Sequence, residues 1–142
     1  MMKVYYSYGK LIKKINDTME KEANNSLRNQ GLTLAQLSAM IELNNFPQKQ
    51  ASMKDLERIL HVAQSTTAGI VARLEQKGMV EGFGDPSDKR IKMVRITLLG
   101  EQYLENTEQQ ITEAERKLLS GLTETEQNIF YSLLEKISDT IK

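Results

Sequence analysis

The sequence predicts a mainly α-helical protein: six helices around one small β-hairpin. Three observations carry this. Apolar residues recur at spacings of three and four along most of the chain, the period that gathers them on one side of a helix. Alternation replaces that period only between residues 79 and 96, where two short runs flank a polar turn. With only 2 prolines and 8 glycines, few positions interrupt regular structure.

The elements can be justified in order. Tyr8, Leu11, Ile12, Ile15, Met19, Ala23 and Leu27 form one apolar stripe on a long first helix, which Gly31 should stop. Tyr5, Tyr6 and Tyr8 cluster near the chain start; they suit lining a ligand pocket or, the favoured reading, packing against a second subunit. Thr33 opens a second helix, and Gln36 stands at capping-box spacing from it. Leu34, Leu37 and Ile41 are its expected buried side, and Asn44-Asn45-Phe46-Pro47 its end. Ser52 caps a short third helix by accepting from the N–H of Lys54 or Asp55, with Met53, Leu56, Ile59 and Leu60 expected to face inward.

His61-Val62-Ala63 reads as a tight turn into a fourth helix, from about Gln64 to Gln76, with Ile70, Val71 and Leu74 inward. Lys77-Gly78 closes that helix, and Gly78 suits the left-handed position after it. Residues 79–83 and 92–96 are the two expected strands. Between them, Gly84-Asp85-Pro86-Ser87-Asp88-Lys89-Arg90 is turn chemistry with a basic tip. A fifth helix starts after Thr97 and carries Leu98, Leu99, Tyr103, Leu104, Ile111, Leu118 and Leu119. The last starts at Thr123, again with capping-box spacing to Glu126, and carries Ile129, Phe130, Leu133, Leu134, Ile137 and Ile141.

Composition bounds the function classes. At 142 residues, 39% hydrophobic and 27% charged, the chain suits one globular domain spanning residues 1–142. The absence of cysteine excludes disulfides, thiolate metal sites and thiol redox switching. The start, MMKVYYSYGKLIKKI, lacks an apolar run of signal-peptide length, and no stretch reaches a membrane span, so a cytoplasmic location without a membrane partner is expected. His61 is the only histidine, a poor basis for a metal site, and neither metal nor cofactor is expected. No nucleophile elbow, phosphate loop or metal motif is present, so no catalytic residues and no enzyme are expected. Glu124 and Glu126 sit at a helix start, where acids favour the dipole.

Net charge is zero, but unevenly distributed. Residues 1–51 hold 7 basic and 4 acidic residues, residues 52–100 hold 8 and 6, and residues 101–142 hold 4 and 9. The first two thirds are mildly basic, which permits a nucleic-acid partner.

The informative stretch is 52–100. A short helix, a tight turn and a second helix make a helix-turn-helix. The second helix begins Gln64-Ser65-Thr66-Thr67, small polar residues able to approach DNA closely, with free N–H groups that attract phosphate. The hairpin directly after it offers Lys89 and Arg90, the kind of side chain drawn to a narrow minor groove. Read alone, Gln64–Thr67 is equally a helix cap, and Lys89-Arg90 an ordinary solvated turn.

The segment SMKDLERILHVAQSTTAGIVARLEQKGMVEGFGDPSDKRIKMVRITLLG resembles the MarR (multiple-antibiotic-resistance regulator) family, above all in RLEQKGMVE, DPSDKR and ITLLG at their spacing. The resemblance is specific over 52–100, and the flanking helices follow the family in order and length. It implies a winged helix-turn-helix lobe at 32–100, with dimerisation helices at 1–31 and 101–142. Gln64, Ser65, Thr66 and Thr67 then fall at the start of the recognition helix. Arg73 falls at an arginine that pairs with the wing aspartate, here Asp88. Arg90 falls at the minor-groove arginine, with Lys89 beside it. The implied function is a DNA-binding regulator, often a repressor, acting as a homodimer on a pseudo-palindromic operator of double-stranded DNA and released by a small aromatic acid.

This chain departs from the family at three points. Gly69 lies inside the recognition helix, at a cost of ~1 kcal/mol relative to alanine. Arg73 is the only basic residue of that helix before Lys77, and Gly82 stands where a larger residue is usual. The apolar stripes of the first and last helices exceed what a small core covers, which independently favours a two-fold dimer with half-sites ~10 bp apart. A winged-helix protein that binds protein rather than DNA stays open on these residues.

Overall fold

The computed structural model describes residues 7–141, apart from the side chain of Asn29. Helix α1 spans Ser7–Leu27 and runs into a single tight turn at Arg28–Gln30. Gly31 ends it at φ 73°, a left-handed conformation open to glycine. Helix α2, Leu34–Asn45, starts at a complete capping box: Thr33 accepts from the Gln36 N–H, and Gln36 accepts from the Thr33 N–H, both at 3.2 Å. A turn at Pro47–Lys49 leads into strand β1, Gln50–Ser52. Helix α3, Met53–Leu60, is capped by Ser52, which accepts from the Asp55 N–H at 3.0 Å. His61 turns the chain at φ 56°, and α4 follows over Gln64–Gln76.

Strands β2, Val80–Gly84, and β3, Lys92–Ile96, form the expected hairpin, shifted by one residue in β2. The sheet has three strands rather than two, in antiparallel order β1-β3-β2. Ala51 of β1 stands opposite Val94 of β3, and Gly82 of β2 stands opposite the same Val94. Three residues are too few for alternation to show in sequence, and β1 exists because Ala51 is buried against β3. Helices α5, Leu98–Leu118, and α6, Glu124–Thr140, start at Thr97 and Thr123, the second with the anticipated capping box to Glu126.

The core lies between α2, α3, α4 and the sheet, around Met40, Leu43, Leu56, Val71, Leu74 and Val94. Three inward assignments change. Leu34 and Ile41 are only half-buried, because the core-facing side of α2 is Leu37, Ala39, Met40 and Leu43. Ile59 is 43% exposed: it lies roughly 90° around α3 from the middle of the Met53-Leu56-Leu60 stripe. Helix α6 buries none of its residues. No helix among the described residues is long and apolar enough to cross a membrane.

Candidate nucleic-acid interface

Helix α4 presents one side to the core and the other to solvent, and this division sorts the sequence candidates. Gln64, Ser65, Thr66 and Arg73 are exposed. Thr67 is fully buried, and its hydroxyl donates to the Ala63 carbonyl at 3.2 Å, so its expected place on the DNA-facing surface is corrected. The reason is the helical period: Thr67 precedes Ile70, Val71 and Leu74 by three, four and seven residues and shares their face. That signal was present in the sequence but masked by a run of similar small polar residues.

No side chain caps the start of α4. The capping role that Gln64–Thr67 could have had is therefore absent, and first-turn N–H groups remain for an incoming anion. The outward face continues through Ala68, Gly69, Ala72 and Arg73, small residues around one cation. A β-carbon added at Gly69 would meet nothing within 4 Å, and Gly69 has no positive φ. Neither packing nor backbone conformation in the fold requires glycine there.

The far end of α4 is fixed firmly. Gly78, at φ 73°, donates to the Glu75 carbonyl, and Met79 to the Leu74 carbonyl, both at 3.0 Å, the paired bonds of a Schellman ending. Lys77 donates to the Gly31 carbonyl at 2.5 Å, tying α4 to the end of α1. Thr97 joins this ending to α5. Its N–H donates to the Met79 carbonyl at 3.0 Å, its hydroxyl donates to the Gly78 carbonyl at 2.6 Å, and its oxygen accepts from the Gly100 N–H at 3.1 Å.

The wing tip is held by its aspartates. Asp85 donates from its N–H to the Ile91 carbonyl at 3.0 Å, closing the hairpin, and its carboxylate accepts from the Ser87 N–H and hydroxyl. Asp88 accepts from Arg90 three times: from the backbone N–H, Nε and Nη2, each at 3.1 Å. The expected Arg73–Asp88 pair is thus corrected, since the Asp88 carboxylate is engaged by Arg90. A partner two residues away on the same turn needs no closure between elements, which favours it over one on another helix. Arg73 makes no ion pair among the described residues. The Arg90 guanidinium keeps Asp88 below the ordinary carboxylate value, and Asp88 in turn raises Arg90. The Arg90 side chain is 91% exposed, and the bidentate contact fixes its direction while leaving other N–H donors to solvent. Lys89 is exposed beside it.

A brace on the wing was not anticipated. Arg95 pairs with Glu81 at 2.6 Å and stacks 4.3 Å from the Phe83 ring centroid. Glu81 lies opposite Arg95 across the sheet, a relation visible only once the register is known. A β-carbon at Gly82 would make only ordinary contact with the Glu75 carboxylate, at 3.4 Å, so the approach of the hairpin to α4 does not demand glycine there.

Comparison with known proteins places this geometry. The family model described as MarR family matches residues 30–91. The HTH-type transcriptional regulator YxaD of Bacillus subtilis is 30% identical over 86% of this chain and 80% of its own. The HTH-type transcriptional regulator BilQ of Clostridium symbiosum is 28% identical over 80% of this chain and 78% of its own. The crystal structure of a cysteine-to-serine mutant of MarR from E. coli, complexed with operator DNA, superposes with a TM-score of 0.80 at 26% identity over 91% of each chain. These relatives are transcription regulators, not enzymes.

Proposed function

The chain belongs to the MarR family and is a winged helix-turn-helix transcription regulator; from that premise we propose that it is a cytoplasmic homodimer that represses transcription by occupying a pseudo-palindromic operator until a small molecule releases it. The observation that carries this is the pairing of an uncapped, exposed first turn of α4 with a wing whose Arg90 is aligned by Asp88. Gln64, Ser65 and Thr66 read the major groove from the N-terminal turn, where backbone N–H groups also take a phosphate. Arg90 enters the flanking minor groove, with Lys89 on the adjacent backbone, while Arg73 contacts phosphate from the middle of the same face. The reading lobe is 32–100, with 1–31 and 101–142 forming the dimer; residues 1–6, including Tyr5 and Tyr6, lie outside the described residues.

The dimer rests on apolar surface that one copy leaves bare. On α1, Tyr8 is 75%, Leu11 61% and Ile12 62% exposed; on α6, Ile129, Leu133 and Ile137 are all more than half exposed. A second copy would cover both stripes and place two α4 helices on one side of the duplex. Leu133→Glu should shift the sedimenting species from dimer to monomer and lower operator affinity in parallel. A dimer that persists at micromolar concentration would reject this interface.

The primary experiment is retardation of a duplex from the protein's own promoter region, at low salt and with limiting competitor. Retardation is expected, and its absence would favour a protein-binding winged helix. Two substitutions sharpen the reading. Thr66→Ala should weaken operator binding by about 0.5–1.5 kcal/mol per half-site, the worth of the one hydrogen bond its hydroxyl makes to a base edge. Thr67→Val should leave binding within about twofold, since its buried hydroxyl serves only the Ala63 carbonyl.

Gly69→Ala separates stability from binding. With open space at the β-carbon and no left-handed φ, alanine should stabilise the free protein by about 0.5–1 kcal/mol. The same methyl group would intrude on DNA lying close to α4, so operator affinity should fall. A higher melting temperature with unchanged affinity would place Gly69 away from the duplex.

A further inference from the structure

Ile91 follows Arg90 directly at the tip of the wing, and it is 42% exposed. It belongs neither to the buried core nor to the half-buried residues packed against that core. Its chain neighbours Asp88, Lys89, Arg90 and Lys92 are all charged. A lone exposed isoleucine is common on protein surfaces, and what sets this one apart is how it is held. Its N–H donates to the Asp88 carbonyl and its carbonyl accepts the Asp85 N–H, both at 3.0 Å, so its backbone closes the tip from both sides. The Asp88 carboxylate also holds the Arg90 guanidinium through Nε and Nη2, so one fixed turn presents Arg90 and Ile91 together. The two sides of the tip lie close: a β-carbon on Gly84 would touch the Lys89 Cα and carbonyl oxygen at 3.4 Å. A slender, rigid tip suits a narrow groove.

The dimensions of the minor groove decide where Ile91 lies once Arg90 is in it. Consecutive Cα atoms are ~3.8 Å apart, and the groove of B-form DNA is ~6 Å wide. The chain neighbours of an inserted arginine therefore meet the groove as well, Lys89 before it and Ile91 after it. The groove walls are deoxyribose, an apolar surface for a branched aliphatic side chain. The floor separates two classes of base pair: A·T shows acceptors alone, whereas G·C adds the guanine N2 amino donor. Isoleucine offers that donor no acceptor, so the amino group would lose its water without gaining a partner. We propose that Ile91 is a specificity-determining residue of the wing, packing in the minor groove beside Arg90 and rejecting guanine there, so that each half-site has an A·T flank. The proposal rests on the reading of Arg90 as a minor-groove side chain, and it divides the work between two neighbours. Arg90 responds to groove potential, which depends on width over several base pairs. Ile91 excludes a single amino group at one step, as apolar side chains of other minor-groove proteins press against particular base steps.

The test starts with selection of duplexes from a random-sequence pool by the full chain, with hydroxyl-radical footprints to mark the step that the wing covers. At that step single pairs are then exchanged and affinities titrated. Inosine lacks the N2 amino group of guanine but keeps its major-groove edge, so replacing G·C with I·C alters the minor groove alone. The parent should select A·T at the wing step and bind I·C there about tenfold or more tightly than G·C, the cost of stranding the amino donor. Ile91→Ser should bring that ratio to within about twofold, because a hydroxyl can accept from the amino group. Ile91→Val, which keeps a branched apolar side chain, should retain most of the ratio and guards against a variant that merely unfolds the tip. Equal binding of I·C and G·C by the parent would overturn the proposal. So would a preference that Ile91→Ser retains in full, since the selection would then belong to Arg90, or one that Ile91→Val loses as completely as Ile91→Ser. A parent that retards no duplex of the pool would instead remove the DNA-binding reading itself, and this proposal with it.

Discussion

Replacing Gly100 with alanine should destabilise the protein by about 3 kcal/mol, the upper part of the range for overpacking a tight site. A β-carbon at Gly100 would lie 2.3 Å from the Met79 carbonyl oxygen and 2.7 Å from Cγ1 of Ile96. The first of these is backbone, and it already accepts the Thr97 N–H at 3.0 Å, so it cannot swing aside as a side chain tip could. Relief requires the start of α5 to move off the sheet. That movement would break the Thr97 bonds to Gly78 and Met79, which connect the end of α4 to α5. The expected reading is a lower urea midpoint with an unchanged slope, at fixed protein concentration because the proposed dimer would add to apparent stability. A midpoint equal to that of the parent would mean that α5 does not sit so close to the Met79 carbonyl in solution.

Arg90→Ala should lower operator affinity about 100-fold while leaving the melting temperature unchanged. One arginine contact to DNA is worth about 1–3 kcal/mol, and the proposed dimer would lose two. Stability should be indifferent because the Asp88–Arg90 pair is almost wholly exposed at Arg90. The salt dependence should flatten as well, by about two in log–log slope for two lost cations. Asp88→Ala makes a sharper test, because two effects oppose. Removing a carboxylate near DNA lessens repulsion, whereas losing the bidentate contact lets Arg90 wander among rotamers. If alignment dominates, affinity falls; a rise would show that Asp88 acts only through its charge. Protonation gives no shortcut to the same state. Asp88 is held below the ordinary carboxylate value, so the pair is intact above that range and is lost only as pH falls through the lowered value. Between pH 5 and 8, on the usual carboxylate scale, operator affinity should not vary through Asp88.

Much of the fold was legible in local chemistry. Thr33 with Gln36, Ser52 with Asp55, and Thr123 with Glu126 each cap a helix as their spacing implies, because a capping bond closes within three residues. Gly31 and Gly78 both take the left-handed conformation that ends helices α1 and α4. What failed to show was non-local. Strand β1 is defined by its partner β3, and Ile59 by which neighbours α3 meets. In the candidate interface, Thr67 looked like Thr66 until the burial of Ile70, Val71 and Leu74 fixed the rotation of α4.

By itself, the sequence determined the order of the helices, their ends and the hairpin, and it named the candidate residues for reading DNA. These depend on φ preferences, side-chain bonds across a few residues and the period of apolar positions. Only the tertiary structure decided which of Gln64, Ser65, Thr66 and Thr67 face outward and that Asp88 aligns Arg90 rather than engaging Arg73. It also decided that Glu81 stands opposite Arg95 across the sheet and pairs with it. Those relations join residues through space, and their energies depend on distance, burial and register, which a one-dimensional pattern does not carry.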